Sequence, residues 1–305
     1  MTPGAQQASP FRGIYPILYA FFNADGGLDR GAMRHQCQRC LAAGAHGLAA
    51  LGLATEVGKL TPRERRQILD WVCEDVAGRV PVAITVFGST VDEQAEFVRA
   101  AGGGGADWVI LQPPRDRSEP EAFYLDFFAA VAARTALPVA VQNAPGYLGV
   151  GISNKGLLEL NRRRPNFRLL KGEGPAVEIQ RTIDETQGLL SVFNGRGGME
   201  LPDNLRAGCA GMIPAPDCAD TQIRIFELMQ TGRAEDEAEA ERLYAEILPA
   251  IVFVMQSIDS LLCYGKRIAA GRMGLTVHDR QPALRPTPFG LASAARFAAQ
   301  LGPLP

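Results

Sequence analysis

An α/β fold of the (β/α)8 barrel type, a TIM barrel followed by a C-terminal helical extension, is what the sequence predicts. Three observations lead there. Short apolar runs rich in Val, Ile and Leu alternate eight times with longer amphipathic stretches, the pattern of repeated βα units. The runs are nearly continuous rather than alternating, as in parallel strands covered on both faces. The loop after the first run reads AFFNADGGLD, not the GxGxxG that usually opens a doubly wound nucleotide-binding sheet, the competing architecture.

The units follow in order. GIYPILYAFF (13–22) reads as a strand and DRGAMRHQCQRCLAAG as a helix. HGLAALGL (46–53) is a strand, and TPRERRQILDWVCEDVAG a helix with Thr61 as N-cap and Pro62 at its first position, both favoured there. VPVAITVF (80–87) precedes a helix that ends in GGGG, read as a stop rather than a phosphate cradle. ADWVILQPP (106–114) precedes EPEAFYLDFFAAVAARTA, whose Phe123, Tyr124, Phe127 and Phe128 have the helical spacing of core residues. LPVAVQNAP (137–145), FRLLKGEG (167–174), LLSVFNG (189–195) and CAGMIPAP (209–216) complete the strands. After residue 232 the stretch from AEDEAEAER to GRMG reads as helical throughout, and PTPFGLASAARFAAQLG adds a last helix. The expected division is a barrel over 11–232 and a helical extension packed on it over 233–305.

Composition narrows the function. The 305 residues are 47% hydrophobic and 21% charged, with a net charge of −2. Such a chain folds to a globule and has no polycationic field for nucleic acid or an anionic membrane. No apolar run approaches the roughly 18 residues of a membrane span, and MTPGAQQASPFRG lacks a signal-peptide pattern. A cytoplasmic location is the expectation. Six scattered cysteines are too few for a disulfide scaffold, and Cys37 and Cys40 read as two thiols on one helix. No metal and no cofactor are expected.

Of 31 basic residues, 27 are Arg and only Lys59, Lys155, Lys171 and Lys266 are Lys. Lys171 closes an apolar strand, at the end where a barrel builds its active site. Arg stays protonated, whereas a desolvated Lys can lose its proton and attack a ketone to form a Schiff base. From this strand alone, Lys171 faces either the barrel or the helix layer. Glu173, two residues on, falls on the same side by the strand period, where it can ferry protons or simply orient Lys171. Lys59 and Lys155 are expected to be exposed, and Lys266 to serve packing or a salt bridge.

With these residues in place, the chain resembles the dihydrodipicolinate synthase / N-acetylneuraminate lyase family of Schiff-base barrels, from about residue 11 to residue 300. The matching segments come in order. They are Gly52-Leu53-Ala54-Thr55-Glu56 with its downstream KLTPRER, Gln112-Pro113-Pro114, Asn143-Ala144-Pro145, Lys171 and Gly195. The resemblance implies that Lys171 forms an iminium with a 2-oxo acid. It implies that backbone amides around Ala54 and Thr55 hold the substrate carboxylate, that Gly195 lets the backbone approach the Schiff base, and that the chain forms a homo-oligomer, a tetramer or a dimer.

The departures are specific. Gln142 stands where the family has a proton-shuttling Tyr. Leu53 and Ala54 stand for a Thr pair, with Thr55 displaced by one. Arg115 replaces a second Tyr, and Tyr147 holds the place of an Arg that grips a second substrate in the synthase branch. Val141-Gln142-Asn143-Ala144-Pro145 and Lys171-Gly172-Glu173-Gly174-Pro175 are similar to the L-2-keto-3-deoxyarabonate dehydratase branch. The reading is therefore a lyase that dehydrates a 2-keto-3-deoxy sugar acid. Glu173 moves the proton, Gln142 and Asn143 supply neutral hydrogen bonds, Thr55 offers a hydroxyl, and Arg196 is a candidate contact. The alternatives are a pyruvate-dependent aldolase or condensing enzyme, and a non-catalytic 2-oxo acid binding protein.

Overall fold

The computed structural model describes residues 10–114 and 118–305. Its eight strands are β1 (Gly13–Ile14), β2 (Leu48–Ala50), β3 (Val82–Val86), β4 (Trp108–Leu111), β5 (Val139–Asn143), β6 (Phe167–Gly172), β7 (Ser191–Asn194) and β8 (Gly211–Met212). They form one parallel sheet in the order β1-β8-β7-β6-β5-β4-β3-β2. A bridge between Ile17 and Ala49 brings the chain after β1 against β2, with Leu18 N–H donating to Ala49 O at 2.9 Å and Ala49 N–H to Pro16 O at 3.0 Å. The eight strands thus curl into a (β/α)8 barrel. All eight apolar runs of the sequence supply strands, and nearly every strand residue is buried.

The first strand is shorter than the 13–22 run suggests. Its regular ladder stops at Ile14, because Pro16 has no N–H to give. Residues 15–22 nevertheless stay buried. Beside it, β1 and β8 approach so closely that a Cβ at Gly211 would lie 1.9 Å from Gly13 O. Gly211→Ala is expected to cost about 3 kcal/mol or more by forcing this seam apart, measurable as a lower urea midpoint.

The barrel interior is identified by three rings from strands that are not neighbours. Tyr15, Trp108 and Phe193 meet with centroids 5.2–5.8 Å apart, which is possible only across the lumen. Register partners in parallel strands share a face, so every residue in register with Trp108 or Phe193 also points inward.

The helices α1 (Arg30–Ala42), α2 (Pro62–Val76), α3 (Val91–Gly104), α4 (Glu121–Ala132), α5 (Pro145–Leu148), α6 (Asn154–Arg163), α7 (Ala176–Glu185), α8 (Leu201–Arg206) and α9 (Ala219–Gln230) lie between and after the strands. Thr61 caps α2 in a capping box with Glu64, and Pro62 opens the helix. Gly105 ends α3 in the left-handed conformation.

The later helices are α10 (Ala234–Val254), α11 (Ile258–Ser260), α12 (Lys266–Met273) and α13 (Pro288–Leu301). They correct the expectation of unbroken helix after residue 232. The chain turns by 107° after α10, where the Ser257 side chain accepts from the Ser260 N–H and starts a new helix. A π-helical turn over Leu261–Gly265 joins it to α12. Gly265 fits because a Cβ there would meet the Tyr19 hydroxyl at 2.6 Å. Arg272, whose side chain is fully buried, ties α12 to α9 through Asp220 at 2.6 Å. Among the described residues no single helix is long and apolar enough to cross a membrane.

Candidate active site

Register places Lys171 opposite Gln142 on one side and Phe193 on the other. Phe193 belongs to the lumen, so Lys171 and Gln142 face inward, which the sequence left open. Lys171 is 3% exposed, and its Nζ lies 3.0 Å from Glu173 Oε1. The same carboxylate oxygen accepts from Gln142 Nε2 at 2.7 Å. Gln142 Oε1 in turn accepts from Gln112 Nε2 at 2.8 Å. Behind them, Gln94 Nε2 donates to Gln112 O and to Gly88 O at 2.8 and 3.0 Å, pinning the end of β4. An amine, a carboxylate and two amides therefore form one buried chain at the C-terminal ends of β4, β5 and β6, where a barrel carries its chemistry.

The backbone that carries Glu173 is tied to the ends of β5 and β7. The Glu173 N–H donates to Asn143 O at 3.2 Å. Asn194, at the end of β7, donates from Nδ2 to Gly174 O at 2.9 Å and accepts from Gly195 N–H at 2.8 Å. Gly195 passes directly under the carboxylate, and a Cβ there would sit 2.9 Å from Glu173 Cδ. The close approach expected of Gly195 is thus made toward Glu173.

Tyr147 and Arg196 join the same region. Burial, and then the Glu173 carboxylate, hold the Tyr147 phenol above its usual range, while the nearby Arg196 cation works the other way. Arg196 also pairs with Glu200 at 2.8 Å, so it is a braced residue and not a loose loop cation.

Three expectations need correction. Asn143 does not face the lumen. Its register partner is Gly172, and its amide clamps Ile152, accepting from the N–H at 2.8 Å and donating to the carbonyl at 3.0 Å. The strand period that turns Gln142 inward turns Asn143 outward. Thr55 is a brace rather than a hydroxyl on offer. Its Oγ1 donates to Leu18 O at 2.6 Å and accepts from Leu51 N–H at 2.9 Å, and its own N–H donates to Gly52 O. Beside it, the Ala54 N–H makes no hydrogen bond among the described residues. Arg115 lies outside the described residues. Lys59 is not free at the surface either. It binds Glu56 at 2.6 Å, and Glu56 also pairs with the buried Lys266.

Sequence reading gave no role to Gln112, Asn194 or Thr85. Strand period and register together place two of them. Gln112 lies two residues beyond Ile110, and Thr85 is the register partner of Ile110. Ile110 shares the inward face with Trp108, two residues before it.

The comparisons with known proteins bear on this arrangement. The model of the dihydrodipicolinate synthetase family matches residues 10–288. The chain belongs to the dihydrodipicolinate synthetase family. It is 28% identical to a 4-hydroxy-tetrahydrodipicolinate synthase of Salinibacter ruber, over 79% of this chain and 80% of that one. It is 29% identical to an L-2-keto-3-deoxyarabonate dehydratase of Azospirillum brasilense, over 79% and 78%. A solved dihydrodipicolinate synthase from Thermotoga maritima superposes with a TM-score of 0.87 at 19% identity, covering 96% of this chain and 99% of that one. As a member of the dihydrodipicolinate synthetase family the chain is a class I aldolase-like lyase, and members of the family act on small 2-oxo acids. Within the family its inward face carries Gln142 beside Glu173 and Lys171.

Proposed function

We propose that this lyase forms a Schiff base between Lys171 Nζ and the carbonyl carbon of a 2-oxo acid, and dehydrates a 2-keto-3-deoxy sugar acid. The observation that carries the reading is the 2.7 Å hydrogen bond from Gln142 to Glu173, with Lys171 3.0 Å from the same oxygen. An amide cannot titrate, so the proton work falls to the carboxylate it orients.

The steps balance through Glu173 alone. The Lys171 ammonium passes a proton to Glu173, the freed amine adds to C2, and a second proton moves from its nitrogen to the former carbonyl oxygen, which becomes a hydroxyl. Glu173 returns that proton to the departing C2 hydroxyl, giving water, an iminium and a carboxylate again. The iminium acidifies C3, and Glu173 takes a C3 proton. The same proton then goes to the C4 hydroxyl, which leaves as a second water. Hydrolysis of the conjugated iminium restores Lys171. The unengaged Ala54 N–H supports a place for the substrate carboxylate in the loop after β2, and Tyr147 with Arg196 lies on the Glu173 side of the site.

Incubation with 2-oxo acids, borohydride reduction and mass spectrometry test the reading. An adduct on Lys171 with turnover to a dehydrated product supports it. Pyruvate plus a free aldehyde would make the enzyme an aldolase, and an adduct without turnover a binding protein. Gly195→Ala is expected to displace the Glu173 carboxylate and lower kcat by about 10- to 100-fold, while trapping of pyruvate persists. Self-association as a tetramer or dimer through the C-terminal helices belongs to the same proposal. It is supported by the exposed Phe289 and Leu291 on α13 and Val252 on α10, and sedimentation velocity checks it.

A further inference from the structure

The buried amide chain has a direction, and that direction leaves one atom over. An ionised carboxylate only accepts hydrogen bonds, so Gln142 must turn its NH2 to Glu173 and its oxygen away. That oxygen also only accepts, so Gln112 must turn its NH2 to Gln142. Gln112 Oε1 is then the free end. It is buried and has no hydrogen-bond partner among the described residues, although Gln112 is 1% exposed. Thr85 Oγ1, on the neighbouring strand and the same inward face, is likewise without a partner among the described residues. The other unpartnered side-chain oxygens, of Gln94 and Gln222, sit on helices outside the sheet. Buried polar atoms are almost always satisfied, so an orphan of this kind in a lumen calls for a partner.

The chemistry of that partner is restricted. A lone carbonyl oxygen repels a carboxylate and accepts from a hydroxyl. It is of no help to the hydroxyl that departs, which needs a proton delivered to it. We propose that Gln112 is a specificity-determining residue whose Oε1 accepts a hydrogen bond from a hydroxyl that the sugar acid retains, the one on C5 of a 2-keto-3-deoxypentonate. Glu173 sets the polarity of this subsite through Gln142. The inference rests on the lyase reading above and adds to it a residue on β4 that selects the substrate's tail.

The test compares two acids in two proteins. One acid is 2-keto-3-deoxypentonate. The other is 4-hydroxy-2-oxopentanoate, identical but for the missing C5 hydroxyl. Each is assayed for kcat/KM and for the concentration that half-saturates borohydride trapping on Lys171, in wild type and in Gln112→Met. Wild type is expected to favour the hydroxylated acid about 10-fold or more, and Gln112→Met to bring the ratio near unity. Loss of the amide that steadies Gln142 affects both acids alike, so the ratio isolates the hydroxyl contact. Trapping of pyruvate reports that the variant still forms the Schiff base. If Gln112→Met proves unfolded, Gln112→Asn, which withdraws the oxygen by one carbon, is read in the same way. A variant that keeps the wild-type preference, or a wild type with none, overturns the inference and leaves the lyase reading standing. Absence of any adduct on Lys171 in the wild type overturns both.

Discussion

Lys171→Arg is expected to abolish the borohydride-trapped adduct and to lower turnover by about 10⁴-fold or more. Arginine keeps a cation opposite Glu173, so the buried pair and the fold survive. It cannot form an iminium, because its guanidinium stays protonated and is no nucleophile. The only other buried lysine, Lys266, cannot stand in. It is locked against Glu56 beneath the loop after β2, where burial lowers its pKa and Glu56 opposes that. Mass spectrometry of the trapped wild type should place the added mass on the peptide containing Lys171. An adduct that persists in Lys171→Arg would remove this lysine from the reaction.

Glu173→Gln is expected to separate capture from chemistry. The new amide still accepts from Gln142 through its oxygen, so the chain of hydrogen bonds persists. Adduct formation with pyruvate should continue, more slowly, because the Lys171 ammonium has lost its nearest base. The exchange of the C3 protons of bound pyruvate for deuterium, followed by NMR, should stop. Turnover of a 2-keto-3-deoxy acid should fall by about 10²- to 10⁴-fold, the usual range for a lost general base. Unchanged exchange would take Glu173 out of the proton's path and turn attention to Tyr147, the other titratable group near it.

Much of this architecture is legible in the sequence, because strands buried on both faces write themselves as uninterrupted apolar runs. The same property hides the site. A strand without alternation does not say which of two adjacent polar residues faces the lumen, so Gln142 and Asn143 look equivalent until register with Lys171 and Gly172 separates them. Lys171 and Glu173 were readable because a Lys is conspicuous in a chain of arginines and the two are spaced by one strand period. Thr55 misleads for a different reason. Its hydroxyl is consumed by Leu51 within the same turn and by Leu18, and the second contact comes from so far away in the chain that no local pattern announces it. The bend after α10 has a local cause in Ser257, but a serine cap inside a long apolar helix pattern is easily read through.

The aromatic cluster of Tyr15, Trp108 and Phe193 has a kinetic corollary. Trp108 opens β4 and Phe193 stands level with Lys171, so the rings fill the lumen beside and beneath the amine, and small molecules are expected to reach it from the C-terminal strand ends alone. The spent acid must back out along the path by which its successor arrives. Accumulated product should therefore compete with the incoming 2-oxo acid for free enzyme, raising KM while leaving kcat untouched.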